Sequence, residues 1–552
     1  MSPDHTMAVA AGHPSEVAAG IRILHEGGNS VDAVIAGAFC AAIVEPNNAG
    51  LAGYGHLLTW NPATQTFLSV DHGPWAPGAA CADMFDVADT GSVDAGAPYD
   101  APAVPDGSNA NGGRATAVPG AVRGMCEAHA LAGRLPLAAV LAPAIELAQQ
   151  GFAVDWPFAL VAVNEFERLR ATPAAAAWAL PNGQPPRATD HWGPGSQLAM
   201  TGLCETLQRI ANDGPDAFYE GPIAEAIVAA LSETGGVMTL ADLAAYRPTI
   251  SRETPTAFGP YAVAVGDDDL GHLLFGLLDR LHLPAGDPLS ADALHLMAEA
   301  FGHVFADAVS WSGDPAATPH YSQVLRSAKY ATLRATAINQ QRAAARPITP
   351  GPVADGVLPG SGGTDGTTQV VARDADGGMS VIITTIGQDF GGGTYIPAIS
   401  GFGNSGMANF DPRPGRSNSI APFKRPLFGV PAAIAVDQEG AAVAAAAGSG
   451  GWAITSSVMH AMVNALHHGL TARESVELPR VWCEGGDTFV DDRIPATTIA
   501  ELEQRGHPVI RRALTPASEP FARCSLITVN ASGETDAASD PAWHGAAEVG
   551  SL

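Results

Sequence analysis

The segment Asp365-Gly366-Thr367-Thr368-Gln369 places a threonine directly after a glycine, where a loop-like stretch gives way to a strand-like one. If the Gly366–Thr367 bond is cut, Thr367 gains a free α-amine beside its hydroxyl. Such an amine can serve as the base for its own side chain, so one residue supplies both nucleophile and proton acceptor. The amine titrates near about 8, within reach of neutral pH. Without the cut, Gly-Thr-Thr is a common opening for a β-strand and carries no chemistry.

A second segment, Gly448-Ser449-Gly450-Gly451, precedes a predicted helix. Paired backbone N–H groups at such a turn can form an oxyanion hole for an acyl-transfer reaction. The alternative is an ordinary strand-to-helix turn. The segment is not a Walker A loop, because no Gly-Lys-Ser/Thr follows it, and it lacks the spacing of a dinucleotide fingerprint.

The elements that must position these segments are predicted from hydrophobic spacing and turn residues. Helices are predicted over Glu16–His25, Val31–Val44, 290–311 and Ile454–His468, and strands over Leu57–Trp60, Thr368–Ala372, Met379–Thr385, Ala432–Val436 and Ala441–Ala447. Residues 120–250 are predicted to be mainly helical, and Thr90–Gly113 and Pro347–Gly366 are predicted to be long loops. The nucleophile candidate therefore lies between a loop and a hairpin.

Composition excludes several classes of function. The 552 residues carry 28 Lys+Arg against 56 Asp+Glu, a net charge of −28, which disfavours binding to nucleic acid or to an anionic membrane surface. The 46% of apolar residues can bury a sizeable core. None of the six cysteines lies in a Cys-x-x-Cys pair, and no metal or cofactor site is predicted. With no signal-peptide pattern and no membrane-length apolar run, we expect a cytoplasmic protein.

Ordered motifs along nearly the whole chain resemble the γ-glutamyltransferase family of N-terminal-nucleophile hydrolases. The matching segments are His13-Pro14, Gly27 to Ala33, Val44-Glu45-Pro46, Val118-Pro119-Gly120, Pro143 to Ala148 with Gly151-Phe152, Ala217-Phe218-Tyr219 with Gly221, Asp242-Leu243 with Tyr246, Gly313-Asp314-Pro315, Thr367-Thr368, Lys424 to Leu427, Gly448 to Gly451 and Ser539-Asp540-Pro541. This number of motifs in order is specific to the family.

The resemblance implies an α+β fold, an αββα sandwich formed by two chains from one self-cleaved precursor. The chains would be residues 1–366 and 367–552, joined as a heterodimer that acts on a small molecule without a cofactor. By the same resemblance Thr367 is first the agent of cleavage and then the catalytic nucleophile. Thr385 is the threonine that orients it, and Gly450 and Gly451 form the oxyanion hole.

The family's pocket for the glutamyl group does not carry over. Gly73 stands at the position of the arginine that clamps the substrate carboxylate, and Asn409 at that of the aspartate that holds the substrate amine. Gly387, Gly406 and the pair Phe428-Gly429 replace further polar residues of the pocket. A lost bidentate clamp is costly, on the order of 2–5 kcal/mol. The sequence thus predicts an intact catalytic apparatus with a rebuilt pocket.

Four other residues are candidates for that rebuilt pocket. Trp75 and Phe428 predict a more apolar or aromatic lining, and His72 and Arg114 are candidate polar contacts. For His72 and Arg114 the alternative is an ordinary structural or surface role.

Three functions remain open from the sequence. The first is hydrolysis of a non-glutamyl substrate at Thr367. It is either C–C bond hydrolysis of the kind linked to alkylproline antibiotic pathways of actinomycetes, which we favour, or amide hydrolysis of the cephalosporin-acylase kind. The second is γ-glutamyl hydrolysis or transfer with an altered pocket. The third is an unprocessed, non-catalytic binding protein, which predicts a chain that never splits.

Overall fold

In the computed structural model of the protein, the described residues are 6–88, 102–266, 268–353, 367–429, 431–515 and 521–551. Gly366 and the residues from 354 onward in the predicted loop Pro347–Gly366 lie outside them, as do residues 90–101 of the predicted loop Thr90–Gly113. Among the described residues, no helix combines the length and apolarity needed to span a bilayer.

The strands are β1 Thr6–Ala11, β2 Tyr54–Asn61, β3 Thr66–His72, β4 Phe152–Ala153, β5 Gln197–Leu198, β6 Thr249–Arg252, β7 Thr256–Phe258, β8 Tyr261–Ala264, β9 Thr368–Arg373, β10 Met379–Thr385, β11 Tyr395–Ile396, β12 Gly401–Phe402, β13 Ala433–Val436, β14 Ala442–Ser449, β15 Val481–Cys483, β16 Thr488–Asp491, β17 Val509–Arg512, β18 Arg523–Val529, β19 Thr535–Ser539 and β20 Ala546–Ser551.

The helices are α1 Pro14–His25, α2 Ser30–Val44, α3 Ala121–Ala132, α4 Leu137–Gln150, α5 Trp156–Asn164, α6 Phe166–Ala171, α7 Pro173–Ala179, α8 Thr201–Asp213, α9 Asp216–Tyr219, α10 Gly221–Glu233, α11 Leu240–Ala245, α12 Asp269–Leu281, α13 Ala291–Trp311, α14 Pro319–Leu325, α15 Ala328–Ala337, α16 Ile454–Leu466, α17 Ala472–Glu477 and α18 Ala496–Gln504. The predicted helices and strands of both halves are confirmed to within a few residues at their ends.

Two sheets face each other at the centre of the molecule. Among the described residues, the first has the strand order β20-β1-β9-β10-β2-β3-β6 and the second has the order β19-β18-β14-β13-β8-β7. Helices α1 and α2 pack on the outer face of the first sheet, and α16 packs on the outer face of the second. The chain therefore forms the predicted αββα sandwich, in which strands from both ends of the sequence are neighbours.

Alternation along the strands decides which side chains enter the space between the sheets. Val381 and Ile383 of β10 belong to one apolar cluster with the Ala444–Ala447 run of β14. Ile382, between them, belongs to the cluster of α1 and α2 on the outer face. Odd-numbered residues of β10 thus face inward, and the same parity holds for β9, where Val371 is inward and Val370 outward.

Helix α2 is enclosed at this end of the sandwich. Asn29 caps it with a reciprocal capping box to Asp32, and all fifteen of its residues are buried. A helix that is apolar all round must be enclosed, which the sheet and the neighbouring helices achieve here. The helix ends at Val44, and Glu45 to Gly50 then carry the chain along the edge where β9 begins.

Candidate active site

Thr367 lies immediately before β9, next to Thr385 at the end of β10. The antiparallel register pairs Thr368 with Thr384, so one further step places Thr367 opposite Thr385. Directly opposed residues share a face of the sheet, with Cβ atoms about 5 Å apart. Each threonine is only 1% exposed. Both hydroxyl-bearing side chains therefore enter the space between the sheets, side by side.

The position of the Thr385 hydroxyl is fixed by the turn that follows it. Its Oγ1 accepts a hydrogen bond from the backbone N–H of Gly387 at 2.8 Å. This local contact pre-orients Thr385 for the role that the sequence predicts.

Gly387 occupies a position that other residues would not fill easily. Its φ is +88°, and a Cβ placed there would lie 2.1 Å from Ser405 Oγ and 3.2 Å from Tyr54 Oη. Ser405 Oγ in turn accepts the N–H of Gln388 at 2.9 Å. The tight turn thus accounts for the glycine at this position.

Replacing Gly387 with alanine is expected to lower the free energy of unfolding by about 2 kcal/mol, because the new methyl group meets Ser405 Oγ at a positive φ. The double substitution Gly387→Ala/Ser405→Ala should be less destabilised than the sum of the two single changes. Urea denaturation of the four proteins measures this coupling. If the losses in free energy of unfolding are additive, the contact with Ser405 is not the reason that glycine is required at position 387.

Thr367 and Thr385 belong to a row of opposed residues that face the space between the sheets. The row continues across the sheet to Tyr54 and Gly73. Tyr54 is paired with Thr385, and the register of β2 and β3 places Gly73 opposite Tyr54. Tyr54 is fully buried, its Oη accepts from Asn409 Nδ2 at 3.2 Å, and its ring meets the edge of Phe428 at 5.1 Å. Burial raises the pKa of Tyr54, so its hydroxyl stays protonated. Gly73, Asn409 and Phe428, all predicted for the pocket, are brought together around Tyr54.

Sequence reasoning did not select Tyr54. A signal was present, since an aromatic residue stands between Gly53 and Gly55 where the glycine-rich stretch opens a strand. The side-chain amide of Asn409 donates its hydrogen bond to this tyrosine. Asn418 Nδ2 donates to the backbone carbonyl of Asn409 at 2.7 Å, which fixes Asn409 in place. Tyr54 therefore lies next to Thr385, on the same face of the sheet as Thr367 and two strands away from it.

Gly450 and Gly451 link the end of β14 to α16, and both have positive φ, +123° and +63°. Ser449, just before them, pairs with Arg523 of β18. Arg523 Nη1 lies 3.6 Å from Glu45 Oε1, and Glu45 lies beside Thr368. The two glycines are therefore at the same end of the sandwich as Thr367, where their N–H groups can serve a developing oxyanion.

His72, Trp75 and Arg114 are the remaining candidates for the pocket. His72 pairs with Gly55, on the outward parity, and packs against Gly124 of α3; burial lowers its pKa to about 3. The Trp75 ring lies 4.9 Å from that of Tyr246. The Arg114 guanidinium bonds the Met84 carbonyl and stands over Phe85. His72 therefore faces away from the row that contains Thr367, whereas Trp75 and Arg114, with these contacts, remain predictions for the pocket.

A cavity opens beside Gly73 and Phe428, and the charged residues that line it are Asp71, Asp268, Asp269 and Arg425. The Arg425 guanidinium pairs with the carboxylate of Asp71. The backbone N–H of Arg425 donates to Asp314 Oδ2 at 3.0 Å. Asp268 also lines the cavity, and burial raises its pKa to about 6. The cavity thus combines an aromatic wall with an acidic one.

The histidines near α16 have ordinary partners. His460 Nε2 contacts the Val481 carbonyl at 3.1 Å, and His467 and His468 contact backbone carbonyls near residue 285. Among the described residues, no group of three or more metal-ligating side chains could hold an ion.

Comparison with known proteins agrees with the motifs. The family model for gamma-glutamyltranspeptidase matches residues 17–550. The acylase ACY 1 proenzyme of Pseudomonas sp. (strain SE83) is 35% identical over 509 residues, covering 91% of this chain and 87% of that protein. The glutathione hydrolase proenzyme of Bacillus subtilis (strain 168) is 28% identical over 514 residues, covering 90% and 84%.

Among solved structures, the cephalosporin acylase from Bacillus halodurans is similar with a TM-score of 0.83 and 23% identity. The match covers 99% of this chain and 96% of that one. At this identity the likeness concerns the fold, and it extends over the whole sandwich.

Proposed function

Because the chain belongs to the gamma-glutamyltranspeptidase family of hydrolases, we propose that it is a precursor that cuts itself between Gly366 and Thr367 and then hydrolyses an acyl amide through Thr367. The observation that carries this proposal is the placement of Thr367 beside Thr385, both facing into the space between the sheets. The fragments 1–366 and 367–552 would remain together as a heterodimer, because strands of both are interleaved in each sheet.

The cut begins with attack of Thr367 Oγ on the carbonyl carbon of Gly366. The C–N bond breaks, the hydroxyl proton ends on the nitrogen, and an ester links Gly366 to the Thr367 side chain. Water hydrolyses that ester, which leaves a carboxylate on Gly366 and a free α-amine on Thr367. Thr385 orients the attacking hydroxyl, since its own oxygen is fixed by Gly387.

In turnover the same atoms act on the substrate. The Thr367 amine takes the hydroxyl proton as Oγ attacks the amide carbon, and the N–H groups of Gly450 and Gly451 stabilise the oxyanion. The amine then gives the proton to the leaving nitrogen. Water resolves the resulting ester and releases the acid, so no cofactor is needed.

The pocket supports an acyl group without the zwitterionic end of glutamate. Gly73 offers no cation for an α-carboxylate, and the neighbouring Arg425 is already held by Asp71 and Asp314. A substrate carboxylate in this cavity would also face Asp268. Like charges in a partly buried site are unfavourable, so we propose that the carboxylate is what the rebuilt pocket rejects. The name of the relative at 35% identity, an acylase, favours the amide hydrolase over the γ-glutamyl enzyme.

Four p-nitroanilide substrates distinguish the proposed amide hydrolase from a γ-glutamyl enzyme. The γ-glutamyl compound carries amine and carboxylate, the glutaryl compound only the carboxylate, the 4-aminobutyryl compound only the amine, and the butyryl compound neither. We expect kcat/KM for the two compounds without a carboxylate to exceed that for the γ-glutamyl compound by about ten-fold or more. A ten-fold ratio corresponds to about 1.4 kcal/mol of transition-state free energy, which we attribute to the repulsion between the substrate carboxylate and the acidic side chains. A preference for the γ-glutamyl compound would instead identify a glutamyl enzyme with an altered pocket.

Hydrolysis of a C–C bond uses the same nucleophile on a ketone carbonyl. A processed protein that cleaves none of the four amides but splits a 1,3-diketone into an acid and a ketone, measured by mass spectrometry, would transfer the proposal to that chemistry. A chain that stays uncut and inactive would favour a binding protein.

A further inference from the structure

A cluster of buried charged residues lies at the amino end of β9, and the proposed reaction gives it no role. It contains Glu16 of α1, Glu45 at the end of α2 and Arg523 of β18. Glu45 belongs to the Val44-Glu45-Pro46 motif. Charged residues are almost never this deeply buried unless their charges are balanced, so the arrangement of these three requires an explanation.

Gly12 shows how close the cluster is to the nucleophile. Its N–H donates to the Gln369 carbonyl at 3.3 Å, which brings the end of β1 alongside the start of β9. The point that a Cβ on Gly12 would occupy is 2.9 Å from Thr368 Oγ1 and 3.2 Å from Glu45 Oε2. Neither oxygen has a hydrogen-bond partner among the described residues. The Glu45 carboxylate therefore borders the residue directly after Thr367.

The two glutamates of this cluster have different surroundings. Glu16 is fully buried, and burial together with the neighbouring Glu45 carboxylate raises the pKa of Glu16 well above its usual range. A carboxyl pair with one proton places the negative charge on the member that has a cation beside it. In this cluster Arg523 Nη1 lies 3.6 Å from Glu45 Oε1, so the guanidinium is next to Glu45. Arg523 itself is held over the Trp543 ring at 4.6 Å.

Three further titratable groups face this space from the loops around it. His13 Nε2 and His544 Nε2 lie 3.8 Å and 3.4 Å from Asp155 Oδ2. Burial lowers the pKa of His13 to about 4 and raises that of Asp155 to about 7. In mildly alkaline solution His13 is therefore neutral and Asp155 is largely ionised, so Asp155 adds a negative charge to the space that Glu45 and Arg523 border.

We propose that Glu45 and Arg523 are positioning residues that set how strongly the freed α-amine of Thr367 holds its proton. The inference rests on the proposed self-cleavage, which creates that amine. The amine must be unprotonated to act as a base. A nearby carboxylate favours the ammonium form and a nearby guanidinium disfavours it, so the pair balances the amine for use near neutral pH.

The test measures the amine directly and needs no substrate. Trace acetic anhydride acetylates only unprotonated amines, so the rate at which the Thr367 terminus is acetylated as a function of pH, read by mass spectrometry of the small fragment, gives its titration midpoint. Glu45→Gln should move the midpoint down by about one pH unit and Arg523→Gln should move it up by about one. Glu16→Gln replaces a neutral acid with a neutral amide and should not move it.

Conservative variants separate charge from packing. Glu45→Asp and Arg523→Lys keep the charges and should restore the wild-type midpoint. If Glu45→Gln fails to fold, the pair Arg523→Gln and Arg523→Lys tests the same claim. Cut proteins whose midpoints do not move, or move in the same direction for Glu45→Gln and Arg523→Gln, would overturn this inference and leave the proposed function intact. A wild-type chain without a Thr367 terminus would overturn the proposed function itself.

Discussion

Replacing Thr367 with alanine is expected to leave the purified protein as a single 56.3 kDa chain without hydrolytic activity. Alanine lacks the oxygen that attacks the Gly366 carbonyl, so neither the cut nor the later ester can form. For the wild-type protein the same denaturing mass measurement should give two fragments of roughly 37 and 19 kDa, in proportion to their 366 and 186 residues of the 552. Loss of a covalent nucleophile typically lowers kcat by about 10⁴-fold or more.

Two controls make this result specific. Thr367→Ser keeps a hydroxyl and an α-amine, so it should still be cut, although more slowly. Thr368→Ala alters the adjacent residue, whose side chain faces the outer side of the sheet, and should be cut normally at the same bond. A Thr367→Ala protein that still splits into the two fragments would show that Thr367 is not the agent of cleavage.

Replacing Thr385 with valine is expected to lower kcat by about 100-fold while changing KM little, because the substitution keeps the shape but removes the oxygen that orients Thr367. Self-cleavage should slow in parallel. The variant also leaves the buried N–H of Gly387 without its acceptor, which should lower the free energy of unfolding by about 1–3 kcal/mol. Rates with the best p-nitroanilide and urea denaturation measure the two effects.

Thr384→Val is the matched control for this substitution. Thr384 precedes Thr385 in β10 and is equally buried at 2% exposure, but its side chain faces the helices on the outer side of the sheet. It should retain the wild-type kcat. Thr385→Ser, which restores the hydroxyl, should recover most of the rate. Equal losses of kcat in Thr384→Val and Thr385→Val would attribute the effect to the strand and not to the hydroxyl.

The sequence predicted only part of the pocket: the positions where family side chains are missing, but not the residues that surround them. The sequence correctly indicated that Gly73 and Gly387 lack the side chains of their family counterparts. Gly387 is explained by a positive φ and by Ser405, which is 18 positions away in the chain. Tyr54 enters this space because three neighbouring strands are in register, and that register is a property of the folded sheet. Spacing along the chain carries no information on it.

His72 illustrates the opposite case. It stands one residue before the position of the missing arginine, so the sequence made it a candidate for the same pocket. Alternation along β3 turns its side chain to the outer face, where burial against α3 lowers its pKa to about 3. A shift of one residue in a strand exchanges the two faces of the sheet, so neighbours in sequence can differ completely in surroundings.

The sequence by itself determined the family through its ordered local motifs, and the resemblance to that family implied the αββα sandwich and the candidate nucleophile; hydrophobic periodicity determined the individual helices and strands. Only the tertiary structure decided which side chains surround Thr367. Strand register placed Thr385 beside it and Tyr54 one strand further on, and the ends of α2 and β18 brought Glu45 and Arg523 to the start of β9. Glu45 and Arg523 are 478 positions apart in the chain, and charges act through space, so the proposed effect on the amine depends on the folded chain.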